Sequence, residues 1–335
     1  MNGVRPSMHA PMRAATLQSA WIGALQCALF ALLIEFIPWD SMSAWGFEDR
    51  EVYFQKFSYL RSLFEENRIT GFISFYLNEA LWDLLARGAI SDLGIPAELF
   101  FGLVTFLCLF CFARQMVLHH GAKVLWMLVN PIVIDFVLSQ LRMAFAISIL
   151  FAASWQRRRW AMLALAVLAT FIHTAMFIFI GFYWLATLVS ARLRDGRIGV
   201  MQARLVLLGG GIALALIIGP FREALMTAVG DRRAEYQLAA RSLSYALFWM
   251  GLLAMMIHQA KDFFTKQDNA FAVLILTVFV AGTLLDVATL RFIAGAFPLL
   301  ISAMLYFVRA ERVLAIAVYV AYSCFQWYYW LNWFS

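Results

Sequence analysis

Charge is what this sequence has least of. Asp, Glu, Lys and Arg make up 14% of its 335 residues against 64% hydrophobic types, and the mean hydropathy is +0.78. One water-soluble core cannot bury that much apolar surface, so an ordinary soluble enzyme is excluded and lipid becomes the solvent. Cysteine is sparse too. Cys27, Cys108, Cys111 and Cys324 all lie in apolar runs. Cys108 and Cys111 share a helix face with no Cys or His beside them in sequence, so they read as packing residues and not as a metal or disulfide framework. Also missing are a Gly-rich phosphate loop leading into a helix, a Walker motif, a dinucleotide fingerprint and any repeat of roughly 20 to 50 residues, so nothing points to a nucleotide-driven pump or a nucleotide-sugar enzyme. The one glycine triplet, Gly209 to Gly211, sits inside an apolar run and reads as a place for close helix packing or a kink.

What is present is a series of apolar runs of 13 to 21 residues, against the roughly 20 that a helix needs to cross a bilayer. They fall at 17–37, 97–113, 124–138, 141–155, 160–172, 174–190, 205–220, 243–259, 269–285, 292–308 and 313–332. The expected fold is an all-α, polytopic membrane bundle of about eleven spans, nine to twelve at the limits, forming one membrane domain over 1–335. Two of the divisions are inferred. Residues 124–155 and 160–190 are unbroken in hydropathy, yet a single helix of about 32 residues would run about 48 Å, well beyond the hydrocarbon layer. The breaks are placed near Gln140/Arg142 and near His173. The run at 17–37 ends in Glu35 and Pro38 and reads as an uncleaved first span, with signal-peptide cleavage after the small residues Ser41, Ser43 and Ala44 as the alternative.

The net charge of +6 comes from Lys and Arg clustered between apolar runs and not from one basic domain, so it signals topology and not nucleic-acid binding. With the N-terminus inside, the cytoplasmic loops collect Arg5, Arg13, Arg114, Lys123, Arg157 to Arg159, Arg192 to Arg204 and the cations around Lys261 and Arg309. The opposite, periplasmic face then holds the acidic 39–96 segment, the 221–242 loop and the isolated charges Arg142, Asp286 and Arg291. The C-terminus ends outside in an interfacial cluster of Trp and Tyr. In 39–96, Phe72, Phe75, Tyr76, Ala80 and Leu84 recur at helical spacing with Asn78, Glu79 and Asp83 between them, which suggests amphipathic helices at the interface.

Ionisable groups in or beside spans are costly, and they are usually paired or functional. Arg142 opens a span on the outer side, where it could grip a phosphate, snorkel to headgroups or pair with Asp135. His173, expected at the same depth, could accept a proton, hold an anion or simply pack against a carbonyl. Asp286 and Arg291 flank a short outer turn and could be a local salt bridge. Arg232, Arg233 and Arg241, with Tyr245 beyond them, make the 221–242 loop cationic or merely headgroup-facing.

Two blocks of sequence go further. Leu138-Ser139-Gln140-Leu141-Arg142-Met143-Ala144 followed by Ala169-Thr170-Phe171-Ile172-His173-Thr174-Ala175 resembles the EpsG-like branch of the Wzy polysaccharide polymerases, although Met143 departs from the polar residue more usual there. Thr289-Leu290-Arg291-Phe292 and the acidic-aromatic stretch of Asp49, Tyr53 and Tyr59 are similar to further features of that branch. The resemblance spans about 45–310 and implies a fold that is GT-C-like in the broad sense. It also implies transfer of a growing glycan from undecaprenyl pyrophosphate to a second lipid-linked repeat unit at the periplasmic face of the bacterial inner membrane, without nucleotide or metal cofactor. The implied partners are the lipid-linked donor and acceptor, membrane lipids, a flippase and a chain-length regulator, and no nucleic acid. Arg142 and Arg291, helped by Arg232, Arg233 or Arg241, would stabilise the departing pyrophosphate. The base is left among His173, Asp49, Glu79 and Asp286, with Gln140, Tyr53, Glu79 and Tyr245 as substrate contacts. The alternatives are an O-antigen-ligase type of glycosyltransferase, which should carry a longer late loop, a membrane-bound O-acyltransferase, which should show cytoplasmic or mid-bilayer His and acidic motifs, and a lipid-linked glycan transporter, which should show paired repeats.

Overall fold

The computed structural model describes residues 17–43, 47–58, 75–76, 79–221 and 243–331. Every regular element among them is helical. In chain order they are α1 (Leu17–Glu35), α2 (Trp39–Met42), α3 (Glu48–Ser58), α4 (Ala80–Arg87) with a π turn to Asp92, α5 (Ala97–His120), a 3₁₀ stretch (Ala122–Leu128), α6 (Pro131–Ser139) and α7 (Leu141–Ser154). There follow α8 (Arg159–Ile172), α9 (Met176–Arg194), α10 (Val200–Ile218), α11 (Leu243–His258), α12 (Lys261–Phe264), α13 (Gln267–Leu284), α14 (Leu290–Leu305) and α15 (Arg309–Leu331).

Among the described residues four helices, α5, α9, α10 and α13, are long and apolar enough to cross a membrane, and the crossings number five if the bent pair 122–128 and 131–139 is one span. Each apolar run of the sequence lies in a helix, but the expected straight span at 124–138 is a 3₁₀ stretch and a short helix bent by 76°. Helices α7 and α8 have 14 residues each, about 21 Å of helix, and stop short of a full hydrocarbon layer.

The bend survives in an apolar setting because its backbone groups find partners. Asn130 caps α6, its Oδ1 accepting from Ile132 N at 2.9 Å, with Pro131 preset at the first helical position. Asn130 Nδ2 donates to Ser323 Oγ and Gln326 Oε1 at 3.0 and 2.9 Å. Tyr319 Oη donates to Met127 O at 2.5 Å and Trp327 Nε1 to Val129 O at 3.3 Å. Helix α15 thus supplies the hydrogen bonds that a straight helix would have made internally, which is what lipid demands of any broken backbone.

Helix α13 is the axis of the bundle. It is buried continuously from Asn269 to Phe279 and packs against α9, α10, α11 and α14. α10 comes closest at Gly211, where a β-carbon would overlap Thr277. Away from this axis, α1 packs on α5, α7 on both α5 and α8, and α4 on α8.

Candidate active site

Three local breaks bring charge to one end of the bundle. Gln140 leaves the helical region between α6 and α7, so Arg142 falls in the first turn of α7. The chain is extended at His173, between α8 and α9, so the imidazole is not held in a helical row. Glu79 precedes α4 with φ 56° and ψ 37°, a left-handed conformation that a side-chain-bearing residue adopts only when its surroundings impose it.

The three meet on the Glu79 carboxylate. Its Oε2 lies 2.9 Å from Arg142 Nη1 and its Oε1 lies 2.8 Å from His173 Nδ1. Oε1 also accepts from the amide and the hydroxyl of Thr174, each at 3.1 Å. Arg142 Nε donates to Tyr53 Oη at 2.6 Å, and its guanidinium lies against the Tyr53 ring at 5.4 Å from the centroid. Burial holds the Tyr53 phenol above its ordinary value, so it stays a neutral hydroxyl. Asp83, one turn into α4, is also buried and adds its field at Arg142. With charges this far from water, each partner is strongly dependent on the other: removing one member of such a pair costs about 3–5 kcal/mol.

Arg142 and His173 are therefore both held within reach of one carboxylate, and neither is fully covered. Their side chains keep partial exposure, and among the described residues neither Arg142 Nη2 nor His173 Nε2 has a partner. Of the options left by the sequence, Arg142 takes Glu79 as its carboxylate, not Asp135.

Helix α4 is amphipathic, with Ala80, Trp82 and Ala86 buried, and its acids lie on the buried side. Glu79 and Asp83 are 4% and 3% exposed, while Leu84 and Leu85 are each 42% exposed. The physical reason is that Arg142 and His173 need counter-groups inside, whereas lipid accepts the leucines.

Asp49 and Arg291 form a second, shallower pair, Asp49 Oδ2 to Arg291 Nη2 at 3.3 Å, with side chains 45% and 57% exposed. Asp49 stands one helical turn before Tyr53 on α3, so that helix touches both pairs. The alternative of a local Asp286–Arg291 bridge is not formed; Arg291 pairs with Asp49. Asp286 is exposed in a left-handed turn at φ 57° with no partner among the described residues. Gln140 Oε1 is buried without a hydrogen-bond partner among the described residues. Arg232, Arg233, Arg241 and the Tyr245 side chain lie outside the described residues.

Sequence reasoning did not single out Thr174 as the donor to Glu79, although it follows His173 directly. It also passed over a polar cluster beyond the far end of α7. There Gln115 accepts from Trp155 Nε1 at 2.9 Å and contacts His119 at 3.4 Å, while Asp268 lies 3.9 Å from His119 and 3.4 Å from Tyr183 Oη. The polar triplet Gln267-Asp268-Asn269 opening an apolar run was its signal. No group of three or more His, Cys, Asp or Glu among the described residues could hold a metal ion.

The chain matches no protein-family model, no characterised protein and no solved structure.

Proposed function

We propose that this protein is a polysaccharide polymerase of the Wzy type, joining undecaprenyl-pyrophosphate-linked repeat units at the periplasmic face of the inner membrane. The observation that carries the proposal is the placement of Arg142 and His173 on opposite oxygens of one buried carboxylate, Glu79, each keeping a polar nitrogen open. Such a site offers a cation to a phosphate oxygen and an imidazole to a hydroxyl from the two sides of one carboxylate. That is the minimum needed when the leaving group is already a pyrophosphate ester. In this reading the eleven helical runs are spans or partial spans, with the N-terminus inside and the C-terminus outside. Arg291, near the surface, meets the pyrophosphate when Asp49 releases it, and the 39–96 segment covers the acceptor. A flippase supplying the repeat units and a chain-length regulator are the expected partners.

The bent pair 122–139 favours one other reading, because discontinuous helices line the substrate sites of many transporters. Here the freed carbonyls of Met127 and Val129 are taken by α15. The break is therefore sealed by protein, and transport is the weaker fit.

Deleting the gene should leave surface glycan capped with a single repeat unit, and Arg142→Ala or His173→Ala should give the same product at normal protein levels. Wild-type chain length in the deletion strain sinks the proposal.

A further inference from the structure

Glu79 is the most constrained residue of the site. It is buried, its backbone is left-handed, and both carboxylate oxygens are engaged. It cannot reach an acceptor hydroxyl without giving up Arg142 or His173, which removes it from the candidate bases. Its contact with His173 decides something else. A carboxylate accepts hydrogen bonds and does not donate them, so a 2.8 Å approach to Nδ1 puts the ring proton on Nδ1. The competing contact, Ala175 N–H toward the same Nδ1, is longer at 3.3 Å and would require the opposite tautomer. The shorter, charge-assisted bond prevails.

We infer that Glu79 is a positioning residue that locks His173 in its Nδ1–H tautomer and leaves Nε2, the nitrogen without a partner among the described residues, as the proton acceptor of the reaction. This rests on the polymerase reading and names the base within it. As the acceptor hydroxyl attacks the anomeric carbon, its proton passes to Nε2. The new glycosidic C–O bond forms while the bond from that carbon to the pyrophosphate oxygen breaks, and the electron pair leaves with the pyrophosphate. The imidazolium, still hydrogen-bonded to Glu79 through Nδ1, then returns its proton to the departing pyrophosphate or to water. Arg142, held by the other oxygen of the same carboxylate, faces the leaving group. One side chain thereby sets the spacing between base and cation.

The first test needs no substrate. In full-length protein labelled with ¹⁵N-histidine and reconstituted in liposomes at pH 8, His173 is assigned by the signal lost in His173→Gln. Its Nδ1 should be protonated and its Nε2 bare. A protonated Nε2 overturns the inference, whatever the protein does. The second test uses polymerisation in vitro with lipid-linked single repeat units extracted from the deletion strain. Glu79→Gln should lower kcat by about 10²- to 10⁴-fold with KM little changed, on the scale of the orienting carboxylate in serine-protease triads. In a His173→Gln background the further loss should be much smaller than in the wild type, because only the Arg142 contact is then left for Glu79 to hold. Independent, multiplying losses would mean that Glu79 acts only on packing or on Arg142. If Glu79→Gln does not accumulate, the wild-type spectrum still decides. Undiminished polymerisation by His173→Gln refutes His173 as the base in the polymerase reading, and the tautomer measurement keeps the two failures apart.

Discussion

Three consecutive glycines in α10 offer a graded test of how this bundle is packed. A β-carbon at Gly211 would stand 2.5 Å from Thr277 Cβ and 3.0 Å from the Leu274 carbonyl oxygen, so backbone and a branched side chain of α13 would both have to move. At Gly210 it would meet only the ends of Leu185 and Leu274, at 3.1 and 3.2 Å, and those can shift. At Gly209 it would meet nothing within 4 Å. Gly211→Ala should therefore cost about 1–3 kcal/mol, the usual penalty for overpacking, which is about 5- to 150-fold in the folded-to-unfolded ratio. Gly209→Ala should gain about 0.5–1 kcal/mol from helix propensity alone, and Gly210→Ala should lie near zero. Unfolding of the purified protein by SDS in mixed micelles, followed by circular dichroism, measures all three against wild type. Because α13 is the axis of the bundle, the Gly211 loss should appear in the main transition and not as local fraying. A Gly211→Ala variant as stable as Gly209→Ala would refute the close α10–α13 approach.

Other perturbations separate the two charge pairs and the bend. Tyr53→Phe keeps the ring but removes the oxygen that accepts from Arg142 Nε; thermal unfolding should show a loss of about 1.5–3 kcal/mol, and surface glycan chains should shorten. No change in either would mean that this bond does not hold the arginine. Arg291→Gln breaks an exposed pair, so stability should change by less than about 1 kcal/mol. A raised KM for extracted lipid-linked units at unchanged kcat is the signature expected of a phosphate contact, and an unchanged KM removes Arg291 from the site. Asn130→Ala deletes a cap and two buried side-chain bonds, for a loss of about 2–4 kcal/mol in the same SDS titration; a loss under about 0.5 kcal/mol would show that α15 does not hold the bend.

Much of the membrane character was legible from composition, because apolar surface in such excess has no other solvent. The helix breaks at Gln140 and His173 were legible for a geometric reason: runs that long overshoot a bilayer, so they must stop somewhere, and Arg142 and His173 are ionisable groups near their middles. Arg142 and His173 stood out as candidates because charge inside lipid is expensive. Glu79 was itself among the candidate bases and substrate contacts, but its pairing with these two did not show: it lies 95 residues before Thr174, and hydropathy has no means of pairing charges across such a separation. The same blindness hid the 76° bend, since an apolar run reads alike whether straight or folded on itself. Composition and run length thus determined which solvent the chain requires and where its helices must end. Which carboxylate enters the interior was decided by tertiary structure, because only there do three distant breaks meet, so that one buried carboxylate can serve both the arginine and the imidazole N–H.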